Sequence, residues 1–160
     1  HPPCTYLTVT GGRWFYHPDD RHLEREKRRP HPLYPNRAAD REKAIQFFMD
    51  LYNAPADMVA IENPVGVMSK RFRKPDQIVR PCEHGEGSTK KTCLWLRGLP
   101  RLKPTHIVKP EIWVTSTGKR FDRWYWETSL ISDLKERTRV RSRTFIGIAR
   151  AMASQWGRQG

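Results

Sequence analysis

The chain has 160 residues and carries 30 Lys and Arg against 17 Asp and Glu, a formal net charge of +13 at neutral pH. A hydrophobic share of 37% with six Trp excludes a wholly disordered tail; mean hydropathy is -0.79, no apolar run approaches the roughly 18–20 residues of a membrane helix, and no basic start leads into an apolar stretch, so no signal peptide is visible. The excess of positive charge points to a polyanion, nucleic acid before acidic lipid.

In chain order, HPPCTYLTVT (1–10) reads as a strand end and turn, with two prolines fixing the backbone ahead of Thr, Tyr, Leu and Val. Gly11 and Gly12 mark a bend, and residues 17–36, dense in charge, His and Pro, read as a surface loop. Asn36 is placed to cap a helix running to about Tyr52, whose apolar face is Ala38, Ala44, Ile45, Phe48, Leu51 and Tyr52. Met58 to Ile61 is a short apolar run consistent with a buried parallel strand, stopped by Glu62-Asn63-Pro64. A turn and short helix are expected over Val65 to Lys74, a strand at Ile78-Val79, a polar loop over Glu83–Lys91, and a strand at Cys93–Leu96. Residues 109–136 are mixed and aromatic and give no clear element, and Trp124 and Trp126 suit a core better than base stacking. Arg137, Arg139, Arg141 and Arg143 alternate with Thr, Val and Ser, which predicts an extended basic stripe. The end, from Thr144 to Trp156, is helical, with Ile148, Met152 and Trp156 on one face. Helix followed by apolar strand, with unusual motifs at strand ends, is an α/β pattern, in which ligands sit beyond the carboxyl ends of strands.

Three cysteines, Cys4, Cys82 and Cys93, are too few and odd in number for a disulfide framework and point to a reducing, intracellular setting. A zinc site from Cys82, Cys93 and His84 matches no standard spacing, so no metal is expected. Cys4 differs from the other two. A Pro-Pro-Cys turn at a strand end holds a thiol in a fixed loop, where nearby cations favour the nucleophilic thiolate. Glu62, at a second strand end, is placed to give a hydrogen bond or proton to a bound ring.

Pro3-Cys4 and Glu62-Asn63 resemble, in order and placement, the Pro-Cys loop and the Glu-Asn motif of DNA cytosine-5 methyltransferases. A wider resemblance covers almost the whole chain: HPPCTYLT, FF, AIENP, GSTKKTCLWLRGLPRLKPT and RSRTFIGIARAMASQWG occur in the order seen in small phage and prophage proteins described as cytosine methyltransferase-like. The resemblance implies a partial Rossmann-like methyltransferase sheet with flanking helices. It makes Cys4 the nucleophile that adds to carbon 6 of a flipped-out cytosine, Glu62 the partner of ring nitrogen 3, and Asn63 a loop-fixing residue. S-adenosylmethionine is the implied methyl donor, with Pro2 and Gly147 on its side of the site and Pro3 on the DNA side.

The chain also departs from that family. Thr5 stands where Gln usually follows Pro-Cys, and Pro64 where Val follows Glu-Asn. The loop Gly85–Thr92 takes the place of a Gln-x-Arg-x-Arg motif, so Lys90 and Lys91 become the expected base or phosphate contacts. The Gly-rich cofactor turn and following acidic residue lie N-terminal to Pro-Cys in the family, and no counterpart is seen here, since Gly11-Gly12 follows the Cys loop. With His1 rather than Met first, this predicts an N-terminally truncated catalytic region spanning 1–160. The Arg137–Arg143 stripe, with the basic residues of 70–74 and 119–123, would line a DNA backbone groove, and 101–143 would form a small DNA-contacting insert. The expected setting is the cytoplasm of a bacterial host, for a phage or host gene. Two alternatives stand beside the methyltransferase: a non-catalytic DNA-binding phage accessory protein on a degenerate methyltransferase fold, and a base-modifying enzyme that couples the same Cys addition to another electrophile.

Overall fold

A computed structural model describes residues 4–157. The chain is mixed helix and strand, and divides into two compact units. The first comprises the residues up to Gln77 together with Thr92–Leu99; the second comprises Ile78–Lys91 together with the residues from Pro100 onward.

In the first unit, helix α1 (Cys4–Leu7) is followed by short 3-10 turns through the proline-rich segment, then by helix α2 (Arg37–Tyr52). Strand β1 (Val59–Pro64), helix α3 (Met68–Arg71) and strand β3 (Thr92–Arg97) complete it, and β2 (Gln77–Val79) carries the chain from the first unit into the second. Cys4–Leu7 are therefore helical where a strand end and turn were expected, and residues 1–3 lie outside the described residues. Asn36 occupies the N-cap of α2, and its carbonyl accepts the first helical bond from the Asp40 N–H at 2.9 Å, but its side chain makes no capping hydrogen bond. Ala44, Ile45 and Phe48 are the buried apolar face of α2, and Ala38 is exposed.

β1 and β3 pair antiparallel, with Ile61 opposite Trp95, Glu62 opposite Leu94 and Asn63 opposite Cys93. This corrects the parallel strand expected at Met58–Ile61. β1 buries Ile61 and Asn63 alternately, as a strand with one covered face does. β3 is buried along Thr92–Leu96 and so reads as an unbroken apolar run. The core of the unit is Leu7, Ala44, Ile45, Phe48, Ile61, Met68, Cys93 and Trp95. Phe48 meets Trp95 edge to face at 5.1 Å, and the Trp95 indole N–H donates to the Arg73 carbonyl at 2.9 Å, giving the buried ring its polar partner.

The second unit holds a β-hairpin, β4 (Ile112–Val114) and β5 (Arg120–Asp122), and helices α4 (Arg123–Ser129), α5 (Leu134–Ser142) and α6 (Ile146–Trp156). Asp122 is its organising side chain. It caps α4 through the Tyr125 N–H at 3.0 Å and accepts from the Ser88 hydroxyl at 3.0 Å, the Thr89 hydroxyl at 2.9 Å and the Thr89 N–H. The expected helix at the chain end is present, with Ile148 and Ala151 buried. The basic stripe is not extended: Arg137, Arg139 and Arg141 lie on α5, and Arg143 is its C-cap. Asp133 caps α5 through the Lys135 and Glu136 N–H groups, and helical spacing replaces the two-residue alternation the sequence suggested.

Candidate active site and nucleic-acid contacts

Cys4 is the first described residue and opens α1, half-buried, with its carbonyl accepting the Thr8 N–H at 2.9 Å. α1 packs on α2 and β1 through Leu7, which is fully buried. Its end is tied to the turn that follows Glu62-Asn63-Pro64. The Val67 N–H donates to the Leu7 carbonyl at 2.8 Å, the Val9 N–H to the Val65 carbonyl at 3.3 Å, and Thr8 bridges Gly66. Gly66 permits this approach, because a methyl there would fall on the Leu7 carbonyl oxygen, 2.7 Å from the carbonyl carbon. The two motifs separated by 57 residues of sequence thus belong to one local construction of backbone hydrogen bonds.

Within it, strand alternation sorts the motif residues. Asn63 is buried and lies on the same face of β1 as Ile61, whose core includes Leu7 of α1. Glu62 is half-buried and lies on the other face, opposite Leu94. The structure therefore brings the Cys4 helix against the Asn63 face and directs Glu62 away from that face. Pro2 and Pro3 lie outside the described residues.

The remaining expected contacts belong to the second unit. The Lys90 ammonium donates to the Arg141 carbonyl at 2.9 Å and sits over Trp124 and Phe145 at 5.5 and 5.7 Å, so it ties the polar loop to the end of α5. Lys91 is exposed. Arg137 donates to the Ser129 carbonyl at 3.3 Å, and Arg139 pairs with Glu136 at 2.5 Å. Arg141 donates to the Thr128 hydroxyl at 3.0 Å and lies over Tyr125 at 4.2 Å, while Arg143 is exposed. Three of the four stripe arginines thus hold α4 and α5 together or neutralise a carboxylate. Trp124 packs on Phe145 at 5.0 Å and Trp126 on Phe121 at 5.6 Å, and both are half-buried rather than part of the buried core. Gly147 allows α6 to press against the His84 carbonyl, and its N–H donates to the Glu86 carboxylate at 3.0 Å. The space a glycine leaves for a cofactor is here filled by backbone.

Sequence reasoning missed a cationic and aromatic cluster in the first unit. Arg37 is buried, with its guanidinium 5.2 Å from the rings of Tyr6 and Phe15 and 5.6 Å from Tyr34, and it donates to the Thr5 carbonyl at 2.8 Å. Arg41 lies 3.5 Å over Phe15 and donates to the Tyr6 carbonyl at 3.0 Å. The signal was legible in the numbering: 37 and 41 continue the buried 44, 48 row of α2. Among the described residues no group of three or more His, Cys, Asp or Glu is placed to hold a metal, and no helix is long and apolar enough to cross a membrane. Comparison with protein-family models, curated proteins and solved structures returns no match for this chain.

Proposed function

We propose that the chain is a DNA cytosine-5 methyltransferase-like protein, on a partial and modified methyltransferase sheet, in which Cys4 is the nucleophile. The observation that carries this reading is the backbone docking of α1, which Cys4 opens, onto the turn that follows Glu62-Asn63-Pro64, Leu7 to Val67 and Thr8 to Gly66. In the proposed step the Cys4 thiolate forms a bond to carbon 6 of a cytosine held out of its stack. The carbon 5–carbon 6 π pair then moves onto carbon 5, with ring nitrogen 3 taking a hydrogen bond or proton. Carbon 5 then takes a proton from solvent, and loss of a carbon 5 proton back to water re-forms the double bond as the thiolate leaves. Asn63 holds the turn. Glu62 serves ring nitrogen 3 only from the far face of β1, so the base must lie across the strand end.

The described residues do not fit S-adenosylmethionine: Gly147 is covered by the His84 carbonyl, and the glycines Gly11 and Gly12 sit in a 3-10 turn rather than between a strand and a helix. That observation, with the outward face of Glu62, favours a second reading, a non-catalytic DNA-binding protein on a degenerate methyltransferase scaffold. The readings separate on duplex DNA incubated with the chain in D₂O without a methyl donor. The first predicts exchange of the cytosine carbon 5 hydrogen for deuterium, lost in Cys4→Ala. DNA binding with no exchange, unchanged by Cys4→Ala, selects the second.

A further inference from the structure

A cavity of about 340 Å³ opens in the first unit next to the turn that holds Cys4. Its lining includes Arg25, Arg41 and Lys70 beside Phe15, Tyr16 and Gly66, and no carboxylate lines it. At about 30 Å³ per water, that is room for roughly ten waters, ample for a phosphate and part of its sugar. Arg41 is half-buried, whereas Arg25 and Lys70 are exposed.

Among the described residues, Arg25, Arg41 and Lys70 make no salt bridge, whereas neighbouring arginines do. Glu42, adjacent to Arg41, is engaged by Arg71 at 2.5 Å. Arg29 pairs with Asp20 and Arg73 with Asp76. Arg37, one turn before Arg41 on α2, is 6% exposed and its buried Nε makes no hydrogen bond. Burial pushes the Arg41 guanidinium down from its usual range, and repulsion from Arg37 and Arg25 adds to this, against attraction from Tyr16 and Glu42. Stacked and partly desolvated like charges with no carboxylate between them are costly alone and favourable around an anion. Guanidinium groups fit phosphate oxygens in two-point geometry, and a flexible Lys at the rim adds a point charge.

We propose that this cavity is a phosphate-binding site for a nucleic-acid strand, with Arg41 at its floor and Arg25 and Lys70 at its rim. The strand rather than a free nucleotide is favoured by the net charge of +13, which attracts a polyanion more strongly than a single phosphate. The assignment goes beyond the proposed catalytic role, since it holds whether or not Cys4 reacts.

The test is fluorescence anisotropy of the full chain with a labelled 20-base-pair duplex across a salt series. Lys70→Gln and Arg25→Gln, both surface changes, should each weaken binding about 3–10-fold near 0.1 M salt and reduce the slope of log affinity against log salt by about 1. Lys43→Gln removes the same charge from exposed α2 surface outside the cavity and should leave that slope unchanged. Deoxycytidine monophosphate, added as a competitor at the same nucleotide concentration, should fail to displace the duplex. Equal effects of Lys43→Gln and Lys70→Gln would reduce the site to general charge. An unchanged slope in both cavity variants, or displacement by the mononucleotide, would overturn the strand assignment. Failure here leaves Cys4-dependent exchange at carbon 5 of cytosine untouched, so the two claims fall separately.

Discussion

Gly66→Ala perturbs the junction on which the candidate site depends. The new methyl would land on the Leu7 carbonyl oxygen, 2.7 Å from the carbonyl carbon and 3.0 Å from Thr8 Cα. Ordinary contact lies at 3.4–4 Å, so either α1 or the turn must retreat, and both are backbone. Overpacking of this kind costs about 1–3 kcal/mol, and losing the 2.8 Å bond from the Val67 N–H to the Leu7 carbonyl adds about 0.5–1.5 kcal/mol. A total of about 2–4 kcal/mol corresponds to a melting temperature lowered by about 4–15 °C in a chain of this size. Gly12→Ala is the internal control, because a methyl at Gly12 meets nothing within 4 Å. Thermal unfolding followed by circular dichroism reads both. Cys4-dependent exchange of the cytosine carbon 5 hydrogen in D₂O should fall further in Gly66→Ala than the unfolded fraction accounts for. A Gly66→Ala protein that melts within 1–2 °C of the parent would refute the claim that α1 and the Glu-Asn-Pro turn are held in backbone contact.

Gly147→Ala should destabilise the second unit by about 1–3 kcal/mol, because its methyl would enter the His84 carbonyl, and hydrogen exchange should show the loss concentrated at the start of α6. Asp122→Ala removes the N-cap of α4 together with the anchor of Ser88 and Thr89; a loss of about 2–4 kcal/mol in urea unfolding is expected. His84 is buried with Nδ1 3.1 Å from the Thr105 hydroxyl, and burial holds its pKa below the ordinary 6.5. The unfolded chain then takes up the proton first, so stability should be full above pH 6.5 and decline as pH falls below it. His84→Gln should flatten that decline in denaturation curves taken at several pH values, and an unchanged slope would remove His84 from the account.

The elements most legible in the sequence were those whose periodicity coincides with burial. α2, α6 and β3 stand close to where apolar spacing placed them, and the short helix after Val65 is present as α3. Strand direction was not legible: the run Met58–Ile61 looks the same in a parallel or an antiparallel sheet, and only pairing with β3 decides it. The stripe from Arg137 to Arg143 misled because alternation of Arg with small polar residues imitates a strand. Asp133 at the N-cap and the Glu136–Arg139 pair make it helical, and neither is an apolar signal. In the candidate site, the sequence named Cys4 and Glu62-Asn63 as partners, and the backbone does join their elements. It could not show that Glu62 and Asn63 point to opposite faces of β1, since that depends on which face the core selects. The arginines of α2 are hidden for the opposite reason: charge reads as surface, yet Arg37 and Arg41 continue the buried face of the helix.

The central claim is that Cys4 adds to carbon 6 of cytosine in DNA, and exchange of the cytosine carbon 5 hydrogen in D₂O tests it most directly, because addition alone makes carbon 5 basic enough to take up a deuteron without any methyl donor. Mass spectrometry of nucleosides recovered from duplex DNA incubated with the chain should show deuterated cytosine, abolished in Cys4→Ala and retained in Lys43→Gln, a change on exposed α2 surface. Full occupancy of the DNA by the protein with no deuterium above the protein-free control, or equal exchange in Cys4→Ala, would contradict the account.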